Sequence, residues 1–301
     1  MTTSLTTLGV LIIFSGIQDL FHTLFHPAKS GGVCDWIARQ IWRVFRRALP
    51  SALSFAGPVA FVSVVVFWAA SITVGFALIY LPRLPHAFIF MSGLNPARYG
   101  SFLGALSISL GSLITISTGV YATKLPLQLL MSLESVFGFG LLTASVSWIL
   151  SIYPVFEHRK SLAHEATLLH FSEETSNKRL KNISDSDLQE ILLGLASQLI
   201  TSRNELSQFP ITYYFHEDES ETALAGIMPY VADIAQQNAN RNGAAGLAAT
   251  TLGGAVDDYL KLIARKFLHR EFTKRDEILR AFADDHMRKI VRSPERLPKA
   301  A

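Results

Sequence analysis

Apolar residues run almost unbroken through three stretches of the first half of the chain and recur at helical spacing through the second half. Leu5 to Phe25 is the first stretch, just long enough to cross hydrocarbon at about 1.5 Å per residue, and Pro27 and the glycines of "HPAKSGG" stop it. In "VCDWIARQIWRVFRRALP", Val33, Ile37, Ile41, Val44, Phe45 and Ala48 recur at helical spacing, with Asp35 and the arginines mostly elsewhere. With Trp36 and Trp42 close by, this pattern predicts an amphipathic helix on the membrane surface, the alternative being a helix packed on a soluble domain. Pro58 to Tyr80 carries no charge and predicts a second span, ended by Pro82 and Pro85. Tyr99 to Ile116 is apolar but short and rich in Gly and Ser. Leu127 to Tyr153 predicts a long third span, closed by Pro154 and "EHRK".

The pattern turns polar after Phe156. Ser184 and Asp185 can cap a helix carrying Leu188, Ile191, Leu192, Leu195 and Leu199. "ITYYF" is strand-like and reads as an extended linker. Helices are expected near 220–238, 244–269 and 274–290, the last opened by "TKRD", which resembles a capping box, and the tail "SPERLPKAA" reads as frayed. There is no Gly-rich phosphate loop, nucleotide fingerprint or repeat.

Composition agrees. Half of the 301 residues are hydrophobic and 17% are charged, too apolar for an ordinary soluble domain. The basic residues sit beside the apolar runs, so membrane topology rather than nucleic acid accounts for them, and no nucleic-acid partner is expected. Residues 28–54 hold Lys29 and the arginines, and the third span is followed by His158, Arg159 and Lys160. Both segments are expected in the cytoplasm, which puts the amino terminus outside and makes 82–126 face outward. Three spans satisfy these charges and four do not. Cys34 is the one cysteine, which excludes an intrachain disulfide and a thiol zinc cluster, and the first run, with no basic region before it and no small-residue cleavage site after it, is not expected to be a signal peptide.

The segment "SLITISTGVYATKLP", Ser112 to Pro126, carries the function. A short helix that enters the membrane and returns is tolerated only where protein or water surrounds its backbone. Ser112, Thr115 and Thr118 at the end of that helix, Tyr121 where a filter aromatic falls, Pro126 after the outer turn, and "LLMSLESVFGFGLLTASVSWILSIYP" as inner helix together resemble the pore domain of the potassium-channel superfamily, closest to bacterial two-transmembrane-type channels. "QDLFHTLFHP" and "FPITYYFH" also look like parts of such a family with a helical cytoplasmic extension. The resemblance implies a homotetramer, membrane lipid around it and monovalent ions within it.

The departure lies in the filter. Where the family reads T-V-G-Y-G-D, this chain has Thr118, Gly119, Val120, Tyr121, Ala122 and Thr123. Alignment through Gly119 instead saves one glycine, loses the tyrosine and needs an insertion. Filter carbonyls all face the ion only if alternate residues take left-handed dihedrals, and a residue with a Cβ loses roughly 1–2 kcal/mol there. Two such positions in four chains cost roughly 8–16 kcal/mol, comparable to the stability of a domain. The outward segment also carries Arg83, Arg98 and Lys124 and no acid, three positive charges per chain and twelve in four chains. Such a mouth disfavours cations. The filter geometry of the family is therefore not expected to form, and potassium selectivity is not expected.

The fold class expected is an all-α membrane protein with three transmembrane helices, a re-entrant pore helix and filter loop, and a helical cytoplasmic domain. Its parts are a first span (1–27), an interfacial helix (28–54), the pore domain (55–156) and the cytoplasmic domain (157–301). The location expected is the inner membrane of a bacterium. Thr115 and Glu134 are candidate filter supports, Glu134 either buttressing the back of the loop or reaching the outer interface. Gly138 and Gly140 are a possible gating hinge, with close helix packing the simpler reading. Asp19, His22 and His26 share a face of the first span and read as internally paired rather than metal-binding. "YYFHEDE", with His216, Glu217, Asp218 and Glu219, reads as a solvated acidic turn, the alternative being a regulatory cation site. No metal, no cofactor and no enzymatic activity is expected. The function expected is a potassium-channel-like tetrameric pore whose conduction is weakly selective or absent; the alternative is a non-conducting sensor or scaffold that uses the fold for assembly.

Overall fold

The computed structural model describes residues 2–25, 32–176 and 179–293. The protein is predominantly helical, and among the described residues three helical stretches are long and apolar enough to cross a membrane. The described residues form two compact units, one of residues 2–40 and 59–151, the other of 41–58 and 152–293.

In the first unit, α1 (Thr2–Phe25) packs on α3 (Ala56–Tyr80) through small residues. A Cβ on Gly9 would stand 2.4 Å from the Gly75 carbonyl oxygen, and one on Gly16 2.9 Å from Ser71 Cβ. Such contact lets backbones approach where no hydrophobic force separates helix from lipid. Asp19 is the polar tie of this unit. Its Oδ2 accepts from Trp68 Nε1 (3.0 Å) and Cys34 Sγ (2.7 Å), and its Oδ1 accepts from the Val33 backbone N (3.2 Å), joining α1, α3 and the start of α2 (Val33–Ala48). His26, the third residue of the expected polar face, lies outside the described residues.

Two short strands and two short helices separate α3 from the last span: β1 (Phe88–Phe90), α4 (Pro96–Tyr99), α5 (Phe102–Leu113) and β2 (Val120–Ala122). At 12 residues, α5 is about 18 Å long and cannot cross hydrocarbon. Ser101 caps it, its Oγ accepting from Gly104 N at 3.2 Å. β2 pairs antiparallel with β1, so the segment returns to the place from which it left α3. α6 (Leu125–Ser176) then runs antiparallel to α3, with Phe76 against Phe137 (6.2 Å between ring centroids) and Trp68 against Trp148 (5.4 Å).

α6 corrects one boundary. Pro154 was expected to close the span, but the helix continues through it for 52 residues, about 78 Å. Proline removes one backbone bond, to the Leu150 carbonyl, while its fixed φ remains helical. The segments before and after residue 156 are therefore parts of one continuous helix.

In the second unit, α9 (Gly243–Ile263) packs between α7 (Asp185–Gln208) and α8 (Leu224–Asn238), with α10 (Arg275–Asp285) against α8 and α9. Leu188, Leu192, Leu195 and Leu199 of α7 and Ala249, Leu252 and Val256 of α9 are buried at helical spacing. Ser184 is the N-cap, its Oγ accepting from Asp187 N at 3.3 Å. The expected capping box at "TKRD" does not form: Lys274 is the N-cap and makes no side-chain cap bond. The expected tail, 294–301, lies outside the described residues.

Three further readings change here. "ITYYF" is no linker; Pro210–Tyr214 is a 3-10 turn, and Ile211 to Phe215 are all buried. Glu217 belongs to no solvated turn; it is 4% exposed. The amphipathic α2 does not rest wholly on a membrane surface, because Trp42 is 3% exposed and packs on Tyr213, Tyr214 and His286. Its indole N–H finds Asp285 Oδ2 at 3.1 Å and Arg46 Nη1 finds Oδ1 at 2.7 Å, partners in α10 that the pattern of α2 alone does not reveal. Val33, Trp36 and Val44 remain exposed.

Candidate functional site

The loop expected to carry function begins where α5 ends. Thr115 sits at φ 59° with its N–H on the Ser112 carbonyl, and Ile116 N reaches back to Gly111 O, so α5 is terminated by a left-handed residue that is not glycine. Gly119, at φ 71°, turns the chain into β2. From there the backbone is extended. Met91 N donates to Gly119 O (2.9 Å) and Thr123 N to Ala87 O (3.0 Å), which makes Ile89 and Tyr121 the hydrogen-bonded pair between them. Gln128 Nε2 donates to Ala122 O at 2.9 Å.

The carbonyls of Gly119, Tyr121 and Ala122 are thus occupied within the chain. Successive carbonyls of a strand also point to opposite sides. A row of carbonyls aimed at one ion needs alternate left-handed residues, and Val120 and Ala122 lie in the extended strand instead. Val120 and Ala122 are each 3% exposed, whereas Tyr121 is half exposed.

Glu134, on α6, is fully buried behind α5. Tyr80 Oη of α3 donates to its Oε2 at 2.9 Å, and Ser109 Oγ of α5 meets its Oε1. Ser109 Oγ also lies 2.8 Å from the Thr73 carbonyl. One carboxyl therefore ties α3, α5 and α6. Nearby, Ser135 Oγ donates to the Ser112 carbonyl at 2.8 Å. Thr115, the other residue expected to support the loop, is exposed, and the hydroxyl that meets Glu134 is that of Ser109. The signal was present in the helical spacing: Ser109 and Ser112 lie three apart on one face of α5.

The two α6 glycines expected as a hinge, Gly138 and Gly140, differ. A Cβ on Gly138 would fall 1.9 Å from the Leu113 carbonyl oxygen, whereas one on Gly140 would meet nothing within 4 Å. Gly138 is a packing glycine that lets α6 touch the end of α5.

Between the end of α5, the loop and α6 lies an open cleft of about 320 Å³. Ser112, Thr115, Ser117, Thr118, Ser132 and Ser135 line it, with no charged side chain among its lining residues. Of the three cations expected at the mouth, Arg83 is tied to Thr6 Oγ (3.2 Å) and to the Ile79 carbonyl, while Arg98 and Lys124 are exposed.

The second unit contains a polar cluster of its own. Arg159, 6% exposed, donates through Nε to Glu217 Oε1 (2.9 Å), through Nη1 to Thr212 O (2.8 Å) and through Nη2 to Phe215 O (2.5 Å). His286 is buried beside them against Trp42 and Tyr213, and burial together with Arg159, His216, Arg288 and Arg46 pushes its pKa well down. His216 is lowered to about 4, by burial and then by Arg288. Tyr213 donates to Asp285 Oδ2 at 2.7 Å, and burial pushes its phenol up. His286 lies 70 residues from His216 in sequence, so spacing does not join them.

No protein-family profile and no solved structure matches the chain. It is 23% identical over 222 residues to the uncharacterized membrane protein YdjJ of Bacillus subtilis strain 168, the match covering 71% of this chain and 63% of the relative. This chain is a membrane protein, by that likeness and by its three apolar helices.

Proposed function

We propose that this protein is a potassium-channel-like pore protein of the inner membrane, assembled as a homotetramer, whose loop does not select potassium. The observation that carries the reading is the hydroxyl-lined cleft beside α5. Ser112, Thr115, Ser117 and Thr118 lie between two apolar helices and Ser132 and Ser135 within one of them, where polar side chains are disfavoured against lipid. Converged from several copies around a water-filled axis, they become the lining of a passage. The α3–α5–α6 arrangement held by Glu134 supports the same reading, with α5 as a re-entrant half-helix. On this reading the amino terminus is outside, the second unit is cytoplasmic, and the chain has no catalytic role.

A second reading is favoured by the β1–β2 ladder. Because it holds the Gly119 and Tyr121 carbonyls inside one chain, while Gln128 holds that of Ala122, the fold can serve assembly alone, with the second unit as a sensor or scaffold. Cysteine accessibility separates the two. Cys34 is buried, so Ser132→Cys and Thr118→Cys provide reporter thiols that stand out from it. On the pore reading, a small charged thiol reagent modifies both in the assembled oligomer. If both react in the dissociated chain but neither in the oligomer, the axis is closed and the scaffold reading holds.

A further inference from the structure

The imidazoles of His216 and His286 and the carboxylate of Glu217 bring their ligating atoms within 4.8 Å of one another, inside the second unit and apart from the loop. His286 is 2% exposed, and neither of its ring nitrogens has a hydrogen-bond partner; Nδ1 of His216 is likewise buried and unpartnered. Buried polar atoms are satisfied in the great majority of cases, so three orphaned imidazole nitrogens in one place point to a missing ligand. Two imidazoles and one carboxylate are a zinc-type donor set.

We infer that His216, Glu217 and His286 bind one divalent transition-metal ion of the zinc class. Tetrahedral ligation at about 2.0–2.1 Å places ligand atoms ~3.4 Å apart, so loading draws these three together by at most about 1.4 Å. The outer partners are in place. Arg159 holds Glu217 through Oε1 and is itself anchored on the carbonyls of Thr212 and Phe215, which orients the carboxylate. Trp42 and Tyr213 wall the His286 ring at 5.1 and 4.8 Å between centroids.

Arg288 is the competitor. Its Nη2 lies 3.1 Å from His216 Nε2, and its Nε is buried without a partner. If the metal takes Nε2, Arg288 must release that nitrogen. If it takes Nδ1, the ring proton moves to Nε2 and faces the guanidinium. Either way loading displaces Arg288, and its charge opposes the incoming dication. Ion pairing already neutralises Arg159 through Glu217, whereas among the described residues Arg288 bonds His216 and Ser220 Oγ (3.2 Å), neither an acid.

The test uses the full chain in detergent, purified without a histidine tag and stripped by chelation. Co²⁺ is added as a spectroscopic probe and Zn²⁺ as competitor. The expected result is one Co²⁺ per chain, with visible bands of tetrahedral intensity that Zn²⁺ abolishes. Affinity should fall more than about 100-fold in His286→Gln, beyond the range for loss of an outer partner, and rise by about tenfold in Arg288→Met. No saturable uptake by the native chain, or equal uptake by the His216→Gln/His286→Gln double variant, overturns the proposal. Should the histidine variants not fold, Arg288→Met decides alone: tighter binding supports the site, and unchanged or weaker binding refutes it.

Discussion

Removing the Tyr80 hydroxyl (Tyr80→Phe) tests the joint that holds the loop's helix in place. Glu134 is fully buried, and its two oxygens are served by Tyr80 Oη and Ser109 Oγ. Phenylalanine keeps the ring, which packs on Phe76 (6.0 Å) and Phe88 (6.0 Å), so the change isolates one hydrogen bond. A buried acceptor stripped of its donor costs about 1–3 kcal/mol. At roughly 2–4 °C per kcal/mol for a unit of this size, the melting temperature in detergent should fall by about 2–12 °C. Ser109→Ala should cost at least as much, because the hydroxyl also meets the Thr73 carbonyl. Glu134→Leu with Tyr80→Phe should cost less than the sum of the single changes, because the two groups then vanish together. Thermal unfolding followed by fluorescence, with Trp68 and Trp148 in this unit, reads all four variants. A Tyr80→Phe shift below about 0.5 kcal/mol, or strict additivity with Glu134→Leu, would refute the claim that this carboxyl joins the three helices.

Three other outcomes follow from the same structure. Gly138→Ala should destabilise the first unit by about 1–3 kcal/mol, since its Cβ falls 1.9 Å from the Leu113 carbonyl, whereas Gly140→Ala should be neutral or stabilising by up to about 1 kcal/mol; equal effects in a thermal scan would contradict the packing account. Arg159→Met should cost about 3–5 kcal/mol by stranding Glu217, and Arg159→Met/Glu217→Leu should recover much of it in denaturant unfolding; no recovery would show that the ion pair is not the cause. His286 is neutral in the fold and protonates near pH 6.5 when unfolded, so its contribution is fully present above about pH 6.5 and is lost as pH falls toward its folded pKa, by at most ~1.4 kcal/mol per pH unit. Arg159, Arg288, Arg46 and His216 all oppose its charging. With chelator present, the native chain should lose more stability than His286→Gln between pH 6.5 and 5, and parallel losses would contradict this.

The three apolar helices were legible because lipid demands long uncharged runs, and the core of the second unit shows in the helical spacing of the α7 leucines. The Ser184 cap was legible for a local reason, since its partner lies three residues away. What escaped was non-local. Pro154 reads as a stop, yet one lost hydrogen bond does not end a helix held on both sides. "ITYYF" has no helical periodicity, and its burial comes from Trp42, Phe267 and His286, distant in sequence. Glu217 looks like one of three solvated acids until Arg159, 58 residues earlier, is placed beside it. In the loop, the missing glycines indicated that a filter would not form, but nothing in Phe88–Phe90 announced the strand that takes its carbonyls. Pairing of three-residue strands is set by where α3 and α6 deliver them.

The central claim is a pore fold without a potassium filter, and ion flux into liposomes holding the purified full chain tests it most directly. Potassium and sodium are compared for the native protein and for Val120→Gly/Ala122→Gly/Thr123→Asp. The account predicts that the native protein passes the two ions at similar rates, above empty liposomes, and that the triple variant shifts the ratio toward potassium. Native flux with strong preference for potassium over sodium would contradict it.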